Sequence, residues 1–241
     1  MQNEGSIETA TMSPGARGVA VDRKADLMVQ DLKKYQISIT GIGETKWFGQ
    51  EVYSIGGYTV LHSGRPLPEQ NERAERNEGV AIVLDPQMTE AWRAAGEEWK
   101  TLSSRIVSAR VKMKTASVPA QPLFITIVSV YAPTHKSPQE KKDEFYQELQ
   151  HTISGVKEDD VLVVVGDFNA RVGSSEDKED MWYGTRGLHG VGRMNESGEA
   201  LLSFCALNDL TIINTLCLRR RIFTIVHGNI QGVRNGTVSI M

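Results

Sequence analysis

Short apolar runs alternate with amphipathic segments along most of this chain. The run from Val161 to Val165 is five consecutive apolar residues and is typical of a strand buried on both faces. Shorter runs bounded by Gly, Pro, Asn or Asp indicate further strands. The predicted strands cover residues 37–42, 58–61, 80–84, 105–113, 123–131, 161–165 and 211–214.

Apolar residues spaced by three or four predict helices between these strands. The first helix is predicted to follow Asp22 as its cap, with Leu27, Leu32 and Tyr35 on one face. Residues 1–21 before it are rich in Gly, Ser and Thr without a period, which indicates an irregular N-terminal arm.

Two more helices are predicted in the second half of the chain. One begins after Ser137, which can cap it, with Pro138 at the first helical position and Glu140 completing a capping box. The other covers residues 196–207. Strands interleaved with helices favour a single α/β domain built on a mixed system of sheets.

Composition narrows the class of protein without identifying it. The 241 residues are 40% hydrophobic and 24% charged, as in an ordinary globular domain. The net charge of −3 gives no bulk positive field, although a local basic face would still suffice for phosphate contacts. Neither a signal sequence nor a membrane-length apolar run is found, so an intracellular protein, nuclear or cytoplasmic, without a membrane partner is expected.

The two cysteines, Cys205 and Cys217, lack the spacing of metal ligands. They are interpreted as buried thiols in a reducing compartment, with a disulfide as the alternative.

Polar groups stand at the ends of three predicted strands. Glu44 follows the first strand, Tyr131 ends another, and Asp167 and Asn169 follow the apolar run Val161 to Val165. Residues i and i+2 of an extended chain point to the same side, so Asp167 and Asn169 are expected to face one point. Each residue also has a plainer explanation, since Asp and Asn favour turns and a lone Glu is usually a solvated loop residue.

Together these side chains match the needs of a hard divalent cation. Mg²⁺ or Mn²⁺ takes oxygen ligands, few of them carboxylates, and completes its shell with water and phosphate. Zinc does not fit, because no cluster of His and Cys is present. In such a site Asp167 would orient or deprotonate a water, Asn169 would fix Asp167 or the phosphate, and Tyr131 would lie against the phosphate.

Three motifs in order carry a resemblance to a known family: Glu-Thr-Lys-Trp at 44–47, Val-Tyr-Ala-Pro at 130–133 and Gly-Asp-Phe-Asn-Ala-Arg-Val-Gly at 166–173. From about residue 19 to about residue 216 the chain resembles the endonuclease/exonuclease/phosphatase superfamily. Within it, the sequence is most similar to the endonuclease domain of non-LTR retrotransposons and to the craniofacial development protein 2-like proteins.

The resemblance implies a four-layered α/β sandwich, with two packed mixed sheets flanked by helices. It also implies hydrolysis of DNA phosphodiesters that depends on Mg²⁺ or Mn²⁺. Glu44 matches the family's metal ligand, while Tyr131, Asp167 and Asn169 match its catalytic residues. Arg105 matches a recurrent arginine to which no role is assigned.

The chain departs from the family pattern at both ends. The family's opening strand with its Asn, and its closing Asp-His motif, are not found, and His227 lacks a preceding Asp. A truncated or degenerate copy is therefore expected, with a domain over 22–216 that lacks the first and last strands and a divergent tail over 217–241. Impaired activity is expected as well, and two alternatives stay open: an inactive remnant or binding module, and a phosphatase on the same scaffold.

Overall fold

The apolar runs of the sequence form the strands of two sheets. The protein is seen here as a computed structural model that describes residues 18–67, 78–113, 122–174, 180–216 and 224–228. Its helices are α1 (Gly18–Lys34), α2 (Pro86–Ala94), α3 (Gln139–Ser154) and α4 (Glu196–Leu207), with a short 3-10 helix at Ile213–Thr215. Its strands are β1 (Ile39–Gly43), β2 (Gln50–Ile55), β3 (Tyr58–Ser63), β4 (Val80–Leu84), β5 (Trp99–Ser103), β6 (Ile106–Met113), β7 (Leu123–Tyr131), β8 (Val161–Asp167), β9 (Leu210–Ile212) and β10 (Thr224–Gly228).

The smaller sheet has four antiparallel strands in the order β1-β4-β3-β2. The larger has six strands in the order β5-β6-β7-β8-β10-β9. Among these described strands, its one parallel pair is β7 with β8, joined through helix α3, because parallel neighbours need a long crossover. This parallel pair brings two strand ends that carry polar residues to the same edge of the sheet.

The two sheets pack face to face around an apolar core. Leu61 and Ile82 of the small sheet share this core with Val107 and Ile127 of the large one, all almost completely buried. Trp92 of α2 packs into the same cluster. The burial of these side chains is the main force that holds the sheets together.

Helices cover both outer faces. Helix α1 lays Val29 and Leu32 on the outer side of the small sheet. On the far side of the large sheet, Phe145 of α3 and Leu201 of α4 pack with residues of β7. The order is therefore helix, sheet, sheet, helices, and the predicted four-layered α/β sandwich is confirmed.

The first helix differs from its prediction. It begins at Gly18, so Asp22 lies inside it rather than at its cap, and Tyr35 lies beyond its last residue. Its buried face is Ala25, Val29 and Leu32, whereas Leu27 is half exposed. The difference arises because the small residue Ala25 forms part of the buried face. A prediction from the larger residues Leu27, Leu32 and Tyr35 alone places the buried face at a different angle around the helix.

The capping box predicted for the helix after Ser137, which is α3, is also wrong. Helix α3 has Pro138 at its N-cap without a side-chain hydrogen bond to the first turn. The Ser137 hydroxyl lies 3.3 Å from the Thr134 hydroxyl instead. The third predicted helix, 196–207, coincides with α4.

The last described strand lies beyond residue 216. Strand β10 belongs to the region predicted as a divergent tail, yet it pairs with β8 on one side and β9 on the other. Residues 1–17 of the predicted arm, the rest of the tail and Cys217 lie outside the described residues. Cys205 is a buried free thiol, as predicted for it. None of the described helices is both long and apolar enough to cross a membrane.

Candidate functional site

The parallel pairing of β7 and β8 places Tyr131 beside Asp167. The two residues are register partners at the ends of their strands, and the amide of Ala132 donates to the Asp167 carbonyl at 2.8 Å. Tyr131 is buried, whereas Asp167 is exposed to solvent. The sheet thus presents a phenol and a carboxylate side by side at one edge.

Asn169 reaches the same point through a turn and not, as expected, through an extended chain. Its φ of 48° lies in the left-handed region, and its amide donates to the Asp167 carboxylate at 2.8 Å. Its side-chain Nδ2 donates to the Ala132 carbonyl at 2.8 Å. Asp167 therefore does cap a turn, and the same turn ties Asn169 to the end of β7.

Glu44 arrives from the other sheet. Strand β1 ends at Gly43, whose position against the Tyr131 ring leaves no room for a side chain, since a Cβ there would lie 2.9 Å from Tyr131 Cδ2. Glu44 follows directly, and its charge acts on the Tyr131 hydroxyl. The four residues predicted from sequence, Glu44, Tyr131, Asp167 and Asn169, therefore converge at one end of the sandwich.

The electrostatics of this cluster keep the Tyr131 phenol protonated. Burial raises the pKa of Tyr131 most, and the carboxylates of Glu44 and Asp167 raise it further. Arg105 and a hydrogen bond with Asn169 act in the opposite direction without reversing the rise in pKa. A neutral phenol between two carboxylates can donate a hydrogen bond to an incoming oxygen.

The loop after β1 is held in an unusual backbone conformation. Glu44 and Lys46 have φ values of 55° and 62°, which cost free energy in residues other than glycine. Three hydrogen bonds hold the loop. The Thr45 amide donates to the Gly79 carbonyl at 3.0 Å, and the Lys46 amide donates to the Glu78 carbonyl at 2.9 Å. The Thr45 hydroxyl lies 3.1 Å from His62 Nε2. The backbone of the loop that carries Glu44 is thus held by β3 and by the segment just before β4.

Beneath Tyr131 lies an ion-pair cluster that the sequence analysis did not identify. Its centre is Glu78, which accepts hydrogen bonds from Arg65, Ser104 and Arg105. Burial alone would raise the pKa of Glu78, but these donors outweigh it and lower the pKa to about 2. The motif around Arg105 assigns it no role, and Glu78 ends a charged segment with no pattern to single it out.

The donor set suits a hard cation better than a soft one. Glu44 is half exposed, with Lys46 Nζ 3.1 Å from its carboxylate, and Asp167 and Asn169 add oxygen donors nearby. The described residues contain no group of three or more His, Cys, Asp or Glu side chains already gathered for a metal. Magnesium commonly binds through one or two carboxylates plus water and phosphate, so Glu44 fits as its protein ligand.

Several solved structures resemble this fold, at low sequence identity. The catalytic domain of APE2 from Xenopus laevis is 13% identical, with a TM-score of 0.48, and the match covers 88% of this chain and 79% of that one. A humanized TDP2 from D. rerio is 10% identical, with a TM-score of 0.46 and coverages of 93% and 82%. An endonuclease/exonuclease/phosphatase family protein from Leptotrichia buccalis is 12% identical, with a TM-score of 0.43 and coverages of 88% and 83%. Identities and scores this low do not bear on the chemistry of the site.

Curated relatives give the stronger comparison, although no family model matches the chain. Craniofacial development protein 2 from Bos taurus is 31% identical over 222 residues, which is 91% of this chain and 32% of that protein. The protein of the same name from Tragulus javanicus is also 31% identical over 222 residues, covering 91% of this chain and 33% of the relative. The chain thus spans about a third of the length of these relatives. The likeness to craniofacial development protein 2 predicted from the motifs is confirmed, since the chain is similar to that protein over 91% of its own length.

Proposed function

We propose that this site hydrolyses phosphodiesters of DNA with the help of Mg²⁺ or Mn²⁺. The observation that carries the proposal is the convergence of Glu44 from one sheet with Tyr131, Asp167 and Asn169 from the other. A fold has no packing reason to gather two carboxylates and a buried phenol at one solvent-facing edge. The motif resemblance supports the same chemistry.

Each residue has a role that its surroundings favour. Asp167 is exposed and accepts a hydrogen bond from the Asn169 amide, so it can orient or deprotonate the attacking water. Tyr131 keeps its proton and donates it in a hydrogen bond to a phosphate oxygen. Asn169 holds the two strand ends together through Ala132. Glu44 would hold the cation, whose charge polarises the phosphodiester and stabilises the leaving oxygen.

The test is nicking of a supercoiled plasmid in Mg²⁺, with EDTA as the blank. Asp167→Ala should lower the rate roughly a hundredfold or more, as expected for loss of a general base. Asp159→Ala is the matched control, because Asp159 is also exposed but lies just before the opposite end of β8. It should nick as the unaltered chain does.

Equal nicking by the unaltered chain and Asp167→Ala would overturn the role of Asp167. A chain that neither nicks DNA nor gains thermal stability from Mg²⁺ would instead be an inactive remnant or binding module, because a ligand bound only by the native state must raise its stability. A phosphatase would release phosphate from a p-nitrophenyl monoester and leave the corresponding diester intact.

A further inference from the structure

We propose that Arg105 is a positioning residue for Tyr131, and that Glu78 couples Tyr131 to the loop that bears Glu44. The inference rests on the proposed function, because it concerns how that site is assembled. Nothing in the sequence motifs assigns a role to Arg105 or Glu78.

Arg105 holds Tyr131 at both of its backbone groups. The Tyr131 amide donates to the Arg105 carbonyl at 2.9 Å, and Arg105 Nη1 donates to the Tyr131 carbonyl at 3.0 Å. The guanidinium carbon also lies 5.6 Å from the centroid of the Tyr131 ring. A single side chain thus contacts the backbone and the ring of the proposed catalytic tyrosine.

Glu78 fixes the other end of Arg105. Its Oε1 accepts from Arg105 Nη2 at 2.8 Å and from Arg65 Nη2 at 2.7 Å, while Oε2 accepts from Arg65 Nε at 2.9 Å and from Ser104. Glu78 is only 9% exposed, so these charge-assisted bonds are little screened by water. The guanidinium of Arg105 therefore has one orientation available.

The backbone of Glu78 supports the second half of the site. Its carbonyl accepts the Lys46 amide at 2.9 Å, and the next carbonyl, that of Gly79, accepts the Thr45 amide at 3.0 Å. These are two of the bonds that hold the Glu44 loop in its left-handed conformation. The Glu78 side chain is thus linked to Tyr131 through Arg105, and its main chain is bound directly to the Glu44 loop.

Lysine cannot reproduce this arrangement. The planar fork of an arginine donates in two directions at once, here to the Tyr131 carbonyl and to Glu78. A lysine at position 105 keeps the positive charge but loses that geometry. Arg105→Lys therefore isolates positioning from charge.

The chain offers a matched control on the same segment. Arg110 pairs through Nε and Nη2 with both oxygens of buried Asp160, and its guanidinium lies 3.6 Å from the centroid of the Phe124 ring. It is five residues further along, about 16 Å away at the rise of a strand. Arg110→Lys disturbs an ion pair that is at least as buried, without reaching Tyr131.

The test compares hydrolysis rates in two backgrounds, at temperatures well below the unfolding midpoint of each variant. Arg105→Lys should lower kcat roughly tenfold to a hundredfold with little change in KM, as misplacement of a reacting group does. In a Tyr131→Phe background the same change should cost less than about twofold, because residues that act as a unit are not additive. Glu78→Gln should behave likewise, whereas Arg110→Lys and Asp160→Asn should leave kcat unchanged in both backgrounds.

Equal fractional losses with and without Tyr131 would overturn the proposal, since they would mean that Arg105 only supports the fold. A second readout needs no activity. In a protein labelled with ¹³C at the tyrosine rings, Tyr131→Phe identifies the Tyr131 resonance, which Arg105→Lys should move and Arg110→Lys should not. If the unaltered chain fails to hydrolyse DNA, the proposed function fails, and this resonance alone decides the inference: an unmoved signal rejects it.

Discussion

At the scale of single residues, His62 shows how a buried group can serve the site without touching it. It is 1% exposed, and its Nε2 lies 3.1 Å from the Thr45 hydroxyl beside Glu44. Burial lowers the pKa of His62 from an ordinary 6.5 to about 4. The imidazole is therefore neutral at physiological pH, and the bond to Thr45 does not depend on a charge.

This lowered pKa predicts a pH dependence of stability. Between about pH 6.5 and about pH 4 the unfolded chain binds a proton at His62 that the folded protein does not. The free energy of unfolding should therefore fall by about 3 kcal/mol as the pH drops through that window. Each pH unit between the two pKa values contributes about 1.4 kcal/mol. Urea unfolding of His62→Gln at several pH values should show a flatter profile than the unaltered protein.

His151→Gln is the control, because His151 is an exposed histidine on α3. It should leave the profile unchanged. Parallel profiles for the unaltered protein and His62→Gln would show that His62 is protonated in the folded state as readily as in the unfolded one.

The polar residues at strand ends were predictable from the sequence, but the buried residues that hold them in place were not. Glu44, Tyr131 and Asp167 each interrupt or follow an apolar run, which is a local signal. Glu78 and His62 lack such a signal, because their importance arises from contacts such as those of His62 with Thr45, 17 positions away, and of Glu78 with Arg105, 27 positions away. Long-range partners of this kind cannot be derived from local periodicity.

At the scale of elements, the start of α4 is tied to the segment after Asn169. Asn195 caps the helix by accepting the Gly198 amide at 2.8 Å, and the same oxygen accepts the Arg171 amide at 3.0 Å. The Asn195 amide donates back to the Arg171 carbonyl at 3.0 Å. One cap thus anchors both the helix and the chain that leaves the proposed site.

Removing this cap should cost stability and activity together. Asn195→Ala should lower the free energy of unfolding by about 1 to 2 kcal/mol, the usual cost of a lost N-cap, and leave the Arg171 amide without its partner. Asn195→Asp keeps an oxygen acceptor and should recover most of the stability. Both are measured by denaturant unfolding and plasmid nicking; equal losses for Ala and Asp would mean that the cap bonds are not the cause.

Elements with strong periodicity or long apolar runs were predictable from sequence, and weaker ones were not. Helix α4 and strands β4 and β7 have their predicted bounds. Strands β2 and β5 were missed, because they are strands at sheet edges without a fully buried residue. Edge strands form because a neighbour supplies hydrogen bonds, and this information lies outside their own sequence.

At the scale of the whole molecule, the site exists only because the two sheets approach closely. Glu44 follows a strand of the small sheet, Tyr131 and Asp167 end strands of the large one, and Asn169 lies in the turn after Asp167. A particularly close approach is at Gly41 of β1, where a Cβ would lie 2.6 Å from Val165 Cγ2 and 2.7 Å from Ser129 Oγ. A side chain there would force a shift, and we expect β1 to move away from β7 and β8 and to carry Glu44 with it.

Gly41→Ala is therefore expected to lower the free energy of unfolding by about 1 to 3 kcal/mol, the usual cost of overpacking a core, and to lower the nicking rate as well. Gly155→Ala is the control, because a Cβ there meets its nearest atoms at an ordinary 3.6 Å.

The decisive comparison places Gly41→Ala in a chain that already carries Val165→Ala and Ser129→Ala. These two changes remove the two atoms nearest to the new methyl group, so the added cost of Gly41→Ala should shrink and the relative loss of nicking should shrink with it. Denaturant unfolding and plasmid nicking of the four combinations measure both quantities. If Gly41→Ala costs the same in either background, steric contact between the sheets does not set their spacing. If stability recovers and nicking does not, the position of Glu44 depends on its own loop rather than on the distance between the sheets.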